Sequence, residues 1–128
     1  MGLAKFEKAE NFQTKQYDLE DRTFAFAKDV RTLVKQIPKT VANIEDIKQL
    51  VRASGSVGAN YIEANESLSK KDFLMRIKIC RKEAKESRYW LRLINTGDDT
   101  TVEKDRLSHI KEAAELTNIF GAILRKSE

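Results

Sequence analysis

The sequence holds one histidine, which limits the catalysis that could be built from it. His109 has Arg106 three residues before it and Glu112 three after it. The pair of Glu-x-x-His motifs that hold two metals in helical bundles needs a second histidine, so that site cannot be assembled. Glu63, Glu83 and Glu86 are carboxylates that could cluster in space, but hydrogen bonds or salt bridges on helix surfaces explain them more simply. Ser54, Ser56 and Ser87 have no histidine nearby in sequence to activate them for nucleophilic attack. We find no catalytic constellation, no metal set and no cofactor site, and read the chain as a non-enzyme.

Two glycine patterns carry no more than that. Gly55-Ser-Val-Gly58 has the spacing of a KH-type loop, but that module needs strands around it and the sequence offers none. A lysine-terminated glycine loop for nucleotide phosphates is missing as well.

The chemistry that remains is electrostatic. Lys71, Lys78, Arg81, Lys85, Arg88 and Arg92 recur about once per helical turn and form one stripe on a helix. Between Lys70 and Asn95 there are nine Lys/Arg against Asp72, Glu83 and Glu86, a local charge of +6 in a chain whose net charge is +4. The rest of the chain is therefore slightly acidic, and the basicity belongs to one segment. Such a stripe could track phosphates along RNA or DNA, and its binding would weaken steeply with salt. Tyr89 lies beside it and could stack on a base. The plain alternative is that Lys and Arg are good helix formers that keep a surface soluble.

The helix that carries the stripe also has a core-facing seam. Phe73, Ile77, Cys80, Ala84, Ser87, Leu91 and Ile94 step by fours and threes, which keeps them on one face. On the flank away from the cations Met75, Ile79, Trp90 and Leu93 widen the apolar surface, with Glu83 and Glu86 among them. A surface helix of a small monomer needs one apolar sector a little over 100° wide. Either this helix is central to its bundle or Met75, Ile79, Trp90 and Leu93 pack against another subunit.

The other segments follow a similar period. Residues 1–16 show none and read as an N-terminal arm, leaving 17–128 as the folded domain. Helix one begins near Asp18, shows Leu19, Thr23, Phe26, Val30, Leu33 and Ile37 on one face, and ends at Pro38. Helix two starts after Thr40 with Ile44, Ile47, Val51, Ser54, Gly58, Tyr61, Asn65 and Leu68 on its face. Gly55 and Gly58 each weaken it by roughly 1 kcal/mol relative to Ala, which suggests close approach of a neighbouring helix or else a kink. Ser69 with Asp72 caps helix three, Gly97 is a left-handed stop, and Thr100 with Glu103 is a second capping box. Helix four shows Leu107, Ile110, Ala114, Thr117, Gly121 and Leu124.

With 128 residues, one proline and 34% charged residues, the chain reads as all-α, an antiparallel up-down-up-down four-helix bundle. Cys80, the lone cysteine, sits on the seam as a small hydrophobe, which suits a reducing cytoplasm. No apolar run is long enough to span a membrane, and no signal-peptide core stands at the N-terminus, so a cytoplasmic location is expected.

At Ser54-Gly-Ser-Val-Gly-Ala-Asn-Tyr-Ile-Glu-Ala64, Ser69-Lys-Lys-Asp-Phe-Leu74 and Lys82-Glu-Ala-Lys-Glu-Ser-Arg-Tyr-Trp-Leu91 the chain resembles the four-helix bundle proteins of the 23S rRNA intervening-sequence family. The resemblance runs from about Tyr17 to Leu124. It implies bacterial origin and a ring-shaped homopentamer with no family active site. A related branch, the accessory variability determinant of diversity-generating retroelements, binds nucleic acid and a reverse transcriptase, so the resemblance adds a protein partner of that kind to the expectations. Two readings result: an oligomeric bundle that contacts RNA or DNA through its basic face, or a protein-interaction scaffold with no physiological nucleic-acid ligand.

Overall fold

The structure is a computed structural model that describes residues 19–127. The arm at residues 1–16 and the expected cap at Asp18 lie outside the described residues. Four α-helices make up the described chain: α1 (Leu19–Val34), α2 (Val41–Asn65), α3 (Lys70–Leu93) and α4 (Thr100–Ser127). They pack as a bundle in which α3 lies against both α2 and α4, while α1 covers α2 and touches α4.

The ends of the helices follow from local chemistry. Pro38 keeps the chain from continuing α1, and the helix closes earlier, at Val34, with Gln36 N–H donating to Leu33 O (2.9 Å) and Ile37 N–H to Val34 O (3.3 Å). Ile37 lies beyond the helix but is still buried. Thr40 caps α2 by accepting from Asn43 N–H at 3.1 Å, and Ser69 caps α3 by accepting from Asp72 N–H at 3.0 Å. The expected capping box at Thr100 is not the cap of α4. Asp99 takes that role, its Oδ1 accepting from Thr101 N–H (2.9 Å) and Val102 N–H (3.1 Å), which releases the Glu103 side chain for other partners. Gly97 has φ 75°, a left-handed conformation that suits glycine, but it sits in the turn after α3 and not at the helix end.

The seam of α3 is buried as its spacing predicts, from Phe73 through Ile94. The cores of α2 and α4 depart in part from the expected faces, of which Ser54 and Tyr61 on α2 and Gly121 on α4 are buried as predicted. On α2 the inward residues are Leu50, Ala53, Ser54, Val57, Tyr61 and Ala64, whereas Ile44 is exposed and Leu68, past the helix, is 99% exposed. On α4 they are Val102, Ala113, Leu116, Phe120, Gly121 and Ile123, with Leu107 left in solvent. Both faces are turned by about one residue from the predicted ones. Between them the rings of Tyr61 and Phe120 meet at 5.9 Å, and burying each large apolar side chain contributes about 1.5–3 kcal/mol.

The small residues of α2 are explained by α1. A Cβ on Gly58 would stand 2.9 Å from Thr23 Oγ1 and 3.3 Å from Thr23 Cβ, and one on Gly55 would stand 3.2 Å from Arg31 Nη2. Helix α2 runs unbroken through both positions; close approach of α1 is the reason for Gly58, whereas Gly55 meets only the tip of the Arg31 side chain. Thr23 is fully buried and its hydroxyl already donates to Leu19 O at 2.7 Å, leaving it little room to move. Gly58→Ala is therefore expected to lower stability by about 1 kcal/mol, since overpacking of about 2 kcal/mol outweighs a helix-propensity gain of about 1. Adding Thr23→Ala should recover the loss in a double-mutant cycle followed by urea unfolding. A Gly58→Ala protein more stable than wild type would refute the close packing.

Candidate nucleic-acid interface

Helix α3 presents different chemistry to its two neighbours. Towards α2, Arg76 Nη1 donates to Asn60 Oδ1 at 2.9 Å and Cys80 Sγ donates to Val57 O at 3.4 Å. Towards α4, Arg106 Nη1 donates to Leu91 O at 2.9 Å, and Arg81 lies over Gly121. The basic stripe is on the α4 side, and the apolar-acidic flank is on the α2 side.

All six cations of the stripe, Lys71, Lys78, Arg81, Lys85, Arg88 and Arg92, are exposed. None of their side chains makes a hydrogen bond or an ion pair with another described residue, although the Arg92 carbonyl accepts from Arg106 Nη1 at 3.4 Å. Other basic side chains are occupied by the fold. Arg22 holds Glu112 and Glu115, each at 2.8 Å, and its guanidinium is pushed above its usual range mainly by the hydrogen bond to Glu112. Lys39 Nζ closes the end of α1, donating to Val34 O at 3.0 Å and Ile37 O at 2.7 Å. A row of exposed cations with no ion-paired acid among the described residues produces a positive field along α3.

The flank residues divide into two kinds. Met75 is 47% exposed and Leu93 50% exposed, while Trp90 is half-buried against the core and Ile79 is half-buried. Tyr89, 54% exposed, meets Trp90 edge-on with ring centroids 4.9 Å apart, leaving a phenol beside the basic stripe. Glu83 on the same flank has its carboxyl pushed up by burial, with Glu86 adding to the shift and Lys82 opposing it.

The carboxylates and histidine considered for chemistry do not converge. Among the described residues no three His, Cys, Asp or Glu side chains form a group able to hold a metal ion. His109 lies in a groove between α1 and α4 lined by Arg22, Phe26, Asp29, Ser108 and Glu112, with Nδ1 against Asp105 O. Among the described residues no helix is long and apolar enough to cross a membrane.

Glu103 instead fixes the turn that sets α4 against the end of α3. It accepts from Arg106 Nε (2.9 Å) and Nη2 (2.7 Å) and from Thr96 Oγ1 (2.8 Å), while Arg106 also caps the carbonyl of Leu91. The Arg106 hydrogen bonds, then that of Thr96, hold the Glu103 carboxyl down from 4.5 to about 2. A depressed carboxylate stabilises the fold above its unfolded value, and that stabilisation is lost as pH falls through the folded one. Thermal stability should therefore fall between pH 4.5 and about 2 more steeply in wild type than in Glu103→Gln. Equal slopes measured by circular dichroism would contradict this.

Arg125 is the basic residue that spacing within one helix does not reveal. It lies on α4, and its Nη1 would be 3.4 Å from a Cβ on Gly121, the same glycine that Arg81 covers from α3. It belongs to the basic surface although it is 44 residues away in sequence. The stripe thus extends across the seam between α3 and α4.

These features define an all-α bundle with an unneutralised basic seam and no assembled metal group among the described residues. The sequence profile of the 23S rRNA-intervening sequence protein family matches residues 15–121, and the chain belongs to that family. Among solved structures it is similar to the crystal structure of a protein of unknown function from the S23 ribosomal protein family of Bacteroides thetaiotaomicron VPI-5482. That protein is 30% identical with a TM-score of 0.69, over 82% of this chain and 96% of the other. Comparison with curated proteins finds no match.

Proposed function

We propose that this protein is a non-enzymatic, cytoplasmic, homo-oligomeric bundle that binds RNA or DNA through the basic face of α3 without strong sequence preference. The observation that carries this reading is that Lys71, Lys78, Arg81, Lys85, Arg88 and Arg92 are all exposed and all without an acidic partner among the described residues. Contacts from such a row go to phosphates, which position a ligand without reading its sequence.

The bundle in this reading is antiparallel, up-down-up-down. Arg31 on α1 reaches Val51, while Glu20, earlier on α1, reaches Asn65, later on α2. On α3, Arg76 reaches Asn60, whereas Asn95 just past its end meets Asn43 near the start of α2. Arg106 near the start of α4 reaches Leu91, and Gly121 lies by Arg81. In each pair the numbers rise on one helix as they fall on the other.

The oligomer is a pentameric ring with Met75, Ile79, Trp90 and Leu93 at or near the subunit boundary. The half-exposed Met75 and Leu93 support this, because apolar side chains on the flank of a central helix gain from a second packing surface. Repeating the basic face around a ring would add weak contacts through multivalency. Light scattering should give about five times the 14.7 kDa chain mass, and a species that stays monomeric at high concentration would refute the ring.

The direct test of function is an anisotropy titration with a structured RNA and with two unrelated DNA duplexes of equal length. Binding to both duplexes within about threefold of each other is expected. Failure to bind any of the three near physiological salt would favour a second reading, a protein-interaction scaffold with a partner such as a reverse transcriptase. That reading draws on the exposed Ile62, Leu68, Met75 and Leu93, which present apolar surface to a partner.

A further inference from the structure

Two guanidinium groups from different helices come together at one point on the α3/α4 seam. A Cβ on the buried Gly121 would lie 3.4 Å from Arg125 Nη1 and 3.5 Å from Arg81 Nε. Both nitrogens are within 3.5 Å of one point, so they stand within about 7 Å of each other, a distance at which like charges repel. Neither has a hydrogen bond or ion pair with a described residue. Arg22, beside Glu112 and Glu115, and Arg106, beside Glu103, are by contrast neutralised by acids. Here the bundle places a second cation.

We propose that Arg81 and Arg125 form a two-armed clamp for a backbone phosphate of a nucleic acid, seated over Gly121 where α3 and α4 meet. With no side chain of its own, Gly121 lets both arms lie close together over the floor of the seam. Guanidinium groups donate through rigid planar forks, and two forks from different directions suit a phosphate carrying several acceptor oxygens. Lys78 and Lys85 stand one turn to either side of Arg81, so the three span about 10 Å of helix axis. That is the axial length of about three phosphates on one strand of duplex. The clamp therefore gives the basic face a fixed point of attachment, where a solvated row of cations would have none.

This inference rests on the nucleic-acid reading, and the test separates the two. Affinities of the full chain for an RNA hairpin and a DNA duplex would be measured by anisotropy, and for inorganic pyrophosphate by calorimetry. The proteins would be wild type, the double variant Arg81→Gln/Arg125→Gln, and Lys104→Gln/Lys111→Gln, which removes the same charge from exposed positions of α4 outside the seam. Circular dichroism would confirm that each is folded. The clamp variant is expected to lose at least tenfold in nucleic-acid affinity, and the control less than twofold, with pyrophosphate bound far more weakly than either polymer. Equal losses in the two variants would overturn the clamp and leave general nucleic-acid binding standing. Pyrophosphate bound as tightly as the polymers would replace the backbone phosphate with a free-anion ligand. No binding of either polymer by wild type would overturn the nucleic-acid reading and the clamp with it.

Discussion

Replacing Arg81, Lys85 and Arg88 together by Glu is expected to reduce affinity for RNA and duplex DNA by at least about a hundredfold at low salt. Non-specific binding by basic proteins starts near 0.1 mM to 1 µM at physiological salt, so a loss of that size leaves little to detect. Each substitution removes a cation with no partner among the described residues and puts a repelling carboxylate on the same face. The log-log salt slope should become shallower by about 0.9 per lost duplex contact, or about 2.7 for three. The fold should survive, because exposed side chains without partners contribute within about 0.5 kcal/mol. At one position it should gain, since a Glu at 81 would face the Arg125 guanidinium. Retained affinity in a folded triple variant would rule out this face.

Asn43→Leu is expected to give the largest loss of stability. Asn43 is 2% exposed and ties two connections of the bundle together. Its Nδ2 donates to Pro38 O (2.9 Å) and Asn95 O (2.8 Å), while its Oδ1 accepts from Asn95 N–H (3.0 Å). Leucine has the same branched shape and number of side-chain heavy atoms, but it leaves those backbone groups without a partner. An unsatisfied buried group costs about 1–3 kcal/mol, so a total of about 3 kcal/mol is expected. For a domain of this size that lowers Tm by about 10–20 °C. Asn43→Ala should cost at least as much; if Asn43→Leu melted with wild type, the hydrogen bonds would not be what holds these connections.

What could be read from the sequence depends on how many apolar phases a helix carries. Helix α3 has one strong seam against a strongly basic face, so Phe73 to Ile94 could be placed inward and Lys71 to Arg92 outward, and the structure agrees. Helix α2 carries two competing phases, Ile44-Ile47-Val51 and Leu50-Ala53-Val57, separated by a small shift in angle. The first has the bulkier residues, but Leu50, Ala53 and Val57 of the second are buried, while only Ser54 and Tyr61 further along the first phase turn inward and Gly58 of that phase meets Thr23 of α1. Helix α4 has the same ambiguity between Leu107-Ile110-Ala114 and Ala113-Leu116-Phe120, decided by Phe120 meeting Tyr61.

Features that cross between helices were not legible. Arg125 joins Arg81 only once α3 and α4 are packed, and periodicity along one helix carries no information about its neighbour. Asp99 replaced Thr100 as the cap because Asp98-Asp-Thr-Thr101 offers several capping side chains in a row, and spacing alone does not choose among them. The Asn43 tie is similar, since an Asn near a helix start reads as local turn chemistry until its partner 52 residues away is in place.

The most direct test of the central claim is the salt dependence of wild-type binding to a structured RNA and to duplex DNA, with oligomer mass followed by light scattering in the same buffers. The basic face predicts affinity that falls linearly in log-log form, with a slope on duplex between about −3.6 and −5.4 if four to six of its cations meet phosphates. A flat slope, or no binding near physiological salt while the oligomer remains intact, would contradict nucleic-acid binding by α3 and make the stripe a solvated surface.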